Sequence, residues 1–351
     1  MSKNTKYIKK ELINWYEKNG RVLPWRQKFQ AKPINSYQVL ISEIMLQQTT
    51  VPHVIKKYSE FMKLWPSCNK LSKASENQVL KFWSGLGYYN RGINLLKSAK
   101  IISKKFHGKV PDTKKDLLSL PGIGNYTALA ILAIAHNKPV MPIDANIERI
   151  IARIYGLNEN IKRIKNQIEE FSEAFIYKNR SGDMAQALMD FGSLVCKPRH
   201  PQCNICFIQS KCIAYKKNLT NVIPLKDKLS SKLKPKKYAC AYLTINNDKI
   251  LLRKRSSKGM LPSMLEVPTS DWVKRPLTKK QIEEYSPVKL KYKKMNKKIK
   301  YQFSHFTIFL DLFISHTKRK KMVNYYWYSI KNFESLKMPT LMKLVIRSYL
   351  S

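Results

Sequence analysis

Apolar side chains recur at helical spacing through the first two hundred residues, and beyond residue 237 that period gives way to short runs of β-branched and aromatic residues. Ile147, Ile150, Ile151 and Ile154 fall at i, i+3, i+4 and i+7, with Gly156 placed to end the helix they predict. Met184, Ala187, Leu188, Phe191, Leu194 and Val195 repeat the pattern. Ser75-Glu76-Asn77-Gln78 has the spacing of a capping box ahead of Val79, Leu80, Phe82 and Trp83, so a helix is expected there, stopping near Gly85. Residues 216–237, rich in Lys, Ser and Asn with two prolines, predict an exposed linker. After it, Tyr238 to Ile245 and Lys249 to Arg255 flank Asn246-Asn247-Asp248 as a hairpin would, 299–315 and 322–330 read as strands, and Leu341 to Leu350 reads as a helix. The expected architecture is a mainly α first domain, 1–215, followed by an α+β second domain, 238–351. No internal repeat is visible.

A chain of 351 residues with 44% hydrophobic content fills two cores. The best apolar run, Ala128 to Ala135, is broken by His136, Asn137 and Lys138, far short of a membrane span, and the basic start MSKNTKYIKK is followed by no apolar segment. A cytoplasmic protein is expected. A net charge of +43 asks for a polyanionic partner, nucleic acid first. The charge is spread along the whole chain and is mostly lysine, and a lysine-rich coding bias accounts for it equally well.

Four of the six cysteines follow the spacing Cys196-x6-Cys203-x2-Cys206-x5-Cys212, which points to one four-thiolate metal site; zinc and iron-sulfur both suit it. Cys68 and Cys240 stand alone and are expected to be buried. Leu120-Pro121-Gly122-Ile123-Gly124-Asn125-Tyr126-Thr127 lies between two helical segments at the spacing of a helix-hairpin-helix, about 115–136, whose glycines would present N–H groups to a phosphate at a helix N-terminus. Asp144, in Pro142-Ile143-Asp144-Ala145-Asn146, stands where an N-cap of the Ile147 helix belongs. Glu43 is different. It sits in the apolar run Val39-Leu40-Ile41-Ser42-Glu43-Ile44-Met45-Leu46, where a buried carboxyl either pairs with an arginine or takes a raised pKa and serves as an acid.

Together these segments resemble the adenine DNA glycosylase (MutY) branch of the helix-hairpin-helix DNA glycosylases. Ser42 to Thr49, Gly85-Leu86-Gly87-Tyr88-Tyr89-Asn90-Arg91, the hairpin, Asp144-x-Asn146 and the cysteine quartet occur in that family's order over nearly the whole chain. The resemblance implies a [4Fe-4S] cluster on Cys196, Cys203, Cys206 and Cys212, within the loop 196–212. It implies Glu43 as the acid that protonates adenine, Asp144 as the carboxylate that stabilises the sugar cation or bonds to it transiently, and Asn146 as its partner. Trp25, Arg26, Leu46 and Gln186 match positions of a pocket for a flipped adenine. Tyr126 stands where endonuclease III-type enzymes carry a nucleophilic lysine, which implies a glycosylase without efficient strand cleavage.

Gln48 and Tyr88 match residues that wedge into the base stack, Thr49 and Leu86 match contacts to the opposite base, and Pro121, Gly122 and Gly124 form the hairpin on DNA. The second domain resembles a Nudix-like domain for recognition of 8-oxoguanine, with Phe303, Ser304 and His305 matching its recognition loop. It lacks the acidic pattern of Nudix hydrolases, so reading DNA is expected of it, not nucleotide hydrolysis. Ala145 departs from the glycine usual between Asp144 and Asn146, and the second domain is short and basic. The implied substrate is double-stranded DNA with A:8-oxoguanine or A:G mispairs, acted on by a monomer in base excision repair. Two other functions stay open: a bifunctional endonuclease III-like glycosylase, and a non-catalytic lesion-binding protein.

Overall fold

The computed structural model describes residues 3–26, 34–225, 234–256, 264–303, 305–319, 322–336 and 338–351. The chain divides into two compact units, Met1–Ser230 and Ser231–Ser351. In the first, the described helices are α1 (Lys3–Asn19), α2 (Ser36–Leu46), α3 (Val51–Leu64), α4 (Cys68–Ser72), α5 (Glu76–Phe82), α6 (Asn90–Lys105), α7 (Lys114–Leu118), α8 (Asn125–His136), α9 (Ala145–Tyr155), α10 (Lys165–Glu173), α11 (Ser181–Leu194) and α12 (Ile213–Lys216). None is long and apolar enough to cross a membrane. The spacing of isoleucines in α9 has its structural counterpart: Ile147, Ile150 and Ile151 are fully buried among Phe175, Leu188 and Phe191 of the unit's core. Gly156 ends the helix in the left-handed conformation that a side chain adopts at a cost. Ser75 and Gln78 form the expected capping box at the start of α5.

The stretch after Cys212 departs from the expected linker. Leu219 packs against the core and Ile223 is 1% exposed, while the Leu225 N–H donates to the Glu159 carbonyl at 3.1 Å. Residues 213–225 therefore belong to the helical unit. Their lysines and asparagines face water, while Ala214, Leu219 and Ile223 pack on the unit's core, which the local composition does not reveal.

The second unit is built on a sheet with strands β1 (Lys236–Asn246), β2 (Lys249–Lys254), β3 (Leu265–Glu266), β4 (Lys293–Gln302), β5 (Thr307–His316) and β6 (Tyr326–Ser329). The order is β3-β2-β1-β5-β4, with β6 also paired to β2; β1 and β5 run parallel and the other pairs antiparallel. Asn247, at positive φ, makes the turn of the expected β1–β2 hairpin. Helix α13 (Lys279–Glu284) lies between β3 and β4, and helix α14 (Thr340–Leu350) buries Leu341, Met342, Val345 and Ile346 in the core with Leu310 and Leu312 of β5. This mixed α+β unit agrees with the sequence expectation.

Candidate active site

Glu43 is carried on the buried face of α2 and is 8% exposed. Burial pushes its carboxyl up to about 7; a hydrogen bond from Tyr126 and the charge of Arg26 pull the other way, and nearby Asp144 pushes it further up. No described arginine forms an ion pair with it, so of the two readings open for this residue the structure takes the raised-pKa one. Tyr126, in the first turn of α8, is itself pushed well above the usual phenol range, by burial first and then by Glu43 and Asp144, and so remains a hydroxyl donor. Asp144 is the N-cap of α9: Oδ1 accepts from Asn146 N at 2.9 Å and Ile147 N at 2.8 Å, and Oδ2 accepts from Asn146 Nδ2 at 2.7 Å. The cap also aims the carboxylate. Glu43, Tyr126, Asp144 and Asn146 line one cavity of about 460 Å³, together with Trp25, Arg26, Leu46 and Gln186 and with Gln48 and Thr49 at the turn after α2. That size suits a purine. No lysine is among its described lining residues.

The residues expected to contact DNA lie in three places. Tyr88 is 46% exposed, and both Tyr88 and Gln48 hold positive φ, a strained backbone for residues with side chains. Leu86, in contrast, is buried, and its carbonyl accepts from Arg91 Nη2 at 2.8 Å. In the hairpin between α7 and α8, Gly122 has φ +82°, Ser98 Oγ donates to the Pro121 carbonyl at 2.8 Å, and Gly124 is the N-cap of α8, where it offers no side chain to the first-turn N–H groups. In the second unit the Phe303 ring meets Trp272 and Phe306 at a tilt and Tyr301 edge-on, and its carbonyl accepts from Lys234 Nζ at 2.9 Å. His305 is exposed, and Ser304 lies outside the described residues.

The four clustered cysteines line a second cavity with Ile150, Arg153, Val195, Ile208 and Tyr215. No three His, Cys, Asp or Glu side chains among the described residues converge as a single metal ion requires. Four thiols lining one cavity fit a thiolate-held metal group, and this donor set suits iron-sulfur and zinc alike. Arg153 strengthens the fit. This buried guanidinium donates to the carbonyls of Lys197 at 2.7 Å and Ile223 at 2.9 Å and to Cys196 Sγ at 3.3 Å, with no carboxylate among these partners. A buried cation so placed is balanced when the sulfurs carry negative charge. Cys68 and Cys240 are buried elsewhere, as expected.

Three further groups had no assigned part in the sequence reading. Arg91 donates to the carbonyls of Ile44, Met45, Leu86 and Gly87 and to Thr49 Oγ1, tying the two strained turns together. Arg149 donates to Asn146 Oδ1, Gly192 O and Cys196 O, at 2.9, 2.7 and 2.9 Å, and so joins the pocket to the cysteine loop. Asp190 holds Arg21 and Arg26. Arg91 closes a motif that sequence singles out, and Arg149 is one turn from Asn146; Asp190 gave no signal.

Residues 41–175 match the model of the HhH-GPD superfamily of base excision DNA repair proteins, and residues 239–348 match a NUDIX domain. An adenine DNA glycosylase of Buchnera aphidicola subsp. Schizaphis graminum is 35% identical, over 95% of this chain and 96% of its own length. The chain belongs to the adenine DNA glycosylase family. It is accordingly a DNA glycosylase, a hydrolase of N-glycosyl bonds in base excision repair. The human adenine DNA glycosylase is 36% identical over 58% of this chain and 38% of that protein. Among solved structures, a thermostable thymine-DNA glycosylase aligns with a TM-score of 0.56 at 30% identity, covering 61% of this chain and 98% of its own. An endonuclease III–DNA complex aligns at 0.52 and 20% identity over 62% of this chain and 99% of its own, which shows a shared fold for this adenine DNA glycosylase family member.

Proposed function

We propose that the chain removes adenine mispaired with 8-oxoguanine, and with guanine, from double-stranded DNA, acting as a monofunctional glycosylase and a monomer in the cytoplasm. The observation that carries this reading is Glu43, a buried carboxyl with a pKa of about 7 in a purine-sized cavity shared with Asp144. Adenine leaves a deoxyribose poorly as an anion. Protonated Glu43 gives its proton to N7 of the flipped base, and the N9–C1′ bond breaks with its electron pair moving onto the base. The Asp144 carboxylate, held by three N–H donors, stabilises the positive charge at C1′ or bonds to it transiently until water adds a hydroxyl there. The proton released by that water restores Glu43. Without a lysine on the described wall, no imine forms, which supports base removal without strand cleavage.

Trp25, Arg26, Leu46 and Gln186 bound the base, Gln48 and Tyr88 enter the stack it leaves, Thr49 and the backbone at Leu86 meet the opposite base, and the Pro121–Gly124 turn grips the phosphate chain. Phe303, Ser304 and His305 read the oxidised base. Cys196, Cys203, Cys206 and Cys212 would hold a [4Fe-4S] cluster, which supplies cross-linking of the loop and no step of the hydrolysis. The test is single-turnover adenine release from duplexes with A opposite 8-oxoguanine, G or C, run beside borohydride trapping. Release opposite 8-oxoguanine and G but not C, without a trapped covalent band, is the expected result. A strong trapped band would assign the site to a bifunctional enzyme, and no release would leave a lesion-binding protein.

A further inference from the structure

Asp190 is fully buried on α11, one turn beyond Gln186, and among the described residues every donor that holds it comes from the segment after α1. Oδ2 accepts from the Arg21 N–H at 2.8 Å and from Arg26 Nη1 at 2.6 Å; Oδ1 accepts from Arg21 Nε at 2.7 Å. Burial alone would push this carboxyl up, but the hydrogen bonds and charges of Arg26 and Arg21 keep it below the usual carboxylate range. It is therefore an anion. The same segment carries Trp25, and Arg21, Trp25 and Arg26 all lie on the wall of the cavity that contains Glu43.

We propose that Asp190 is a positioning residue for base excision: it fixes Arg26 on the pocket wall and cancels part of the positive charge that faces Glu43. The inference rests on the reading of Glu43 as the acid. Two arginines and one aspartate leave this cluster with one net positive charge. The groups that face Glu43 are Tyr126 of α8, which donates to it, Asp144 at the head of α9, which favours its proton, and Arg26, which opposes it. From α11 the cavity receives Gln186 and Met189, and from α2 Ser42 and Leu46, all uncharged. Tyr16, buried beside the arginines, is pushed up to about 12 and stays neutral. Asp183 of α11 is paired with Arg180 instead. The adjustable charge near the acid is therefore the balance between Asp190 and its two arginines.

That balance gives opposite signs for two neutralising substitutions. Asp190→Asn leaves both arginines uncompensated, which weakens the hold of Glu43 on its proton. Arg21→Gln leaves Arg26 and Asp190 as a neutral pair, which strengthens it. Each effect is on the order of half to one pH unit. The experiment is single-turnover adenine release against pH, with the full-length protein in excess over a duplex carrying A opposite 8-oxoguanine. The limb on which the rate falls with rising pH should move to lower pH in Asp190→Asn and to higher pH in Arg21→Gln. A limb at the wild-type position in both, whatever the rates, would overturn the proposal, since loss of packing slows catalysis without moving a titration. Should Asp190→Asn not fold, Arg21→Gln, whose side chain is partly exposed, decides alone by the presence or absence of its upward shift. A wild-type profile with no limb near neutrality would instead overturn the reading of Glu43 as acid, and this inference with it.

Discussion

Glu43 holds its proton up to near neutral pH because burial disfavours a carboxylate there more than the hydrogen bond from Tyr126 and the charge of Arg26 favour it. Its pKa rises from an ordinary 4.5 to about 7, so between those values the folded chain holds a proton that the unfolded chain has lost. Stability conferred by the neutral form is complete below pH 4.5 and is lost as the pH rises through 7. Glu43→Gln removes that loss. Its stability relative to wild type should therefore improve by roughly 2–3 kcal/mol between pH 5 and pH 8, measured by urea unfolding at each pH. Tyr126→Phe removes the donor that favours the carboxylate, and the falling limb of the excision profile should move to higher pH. The isolation of one carboxyl in an apolar run was enough to mark Glu43 from sequence. Asp190 shows no such signal, because its partners Arg21 and Arg26 lie more than 160 residues away and no local pattern joins them.

Helix α9 joins the two chemical centres of the helical unit. Its N-cap is Asp144, its first turn holds Asn146, and its next turns hold Arg149 and Arg153, which bond the backbone around Cys196. Arg149→Leu would orphan the buried carbonyl of Gly192 and free Asn146; a loss of about 2–4 kcal/mol in stability and slower adenine release at saturating enzyme are expected. In the hairpin, Gly122→Ala places a methyl 2.9 Å from the Asn94 Cβ at φ +82°, so lower duplex affinity in a filter-binding titration is expected, with excision by saturating enzyme nearly intact. Caps, periodicity and glycine stops make α5, α8, α9 and α11 legible in the sequence. What those helices bond across space was not, since a guanidinium that caps distant carbonyls has the same local surroundings as a solvated one.

At the scale of the whole molecule, the composition of residues 216–237 marked a boundary but misplaced its start. Ile223 and Leu219 hold the first part of that segment on the helical unit, and the polar residues around them masked it. The cysteine loop is expected to act through the fold. Cys206→Ser should lower iron content, thermal stability and duplex affinity, while the identity of the released base stays adenine. The second unit is expected to act on preference: Ser304→Ala, or Phe303→Ala, should narrow the ratio of excision rates opposite 8-oxoguanine and opposite guanine. The central claim is that a buried, protonated Glu43 drives departure of adenine. It is tested most directly by single-turnover adenine release from an A:8-oxoguanine duplex, comparing wild type with Glu43→Gln at equal occupancy. A fall of about 10²–10⁴-fold with duplex affinity retained is the expected result; release that persists at the wild-type rate in Glu43→Gln would contradict it.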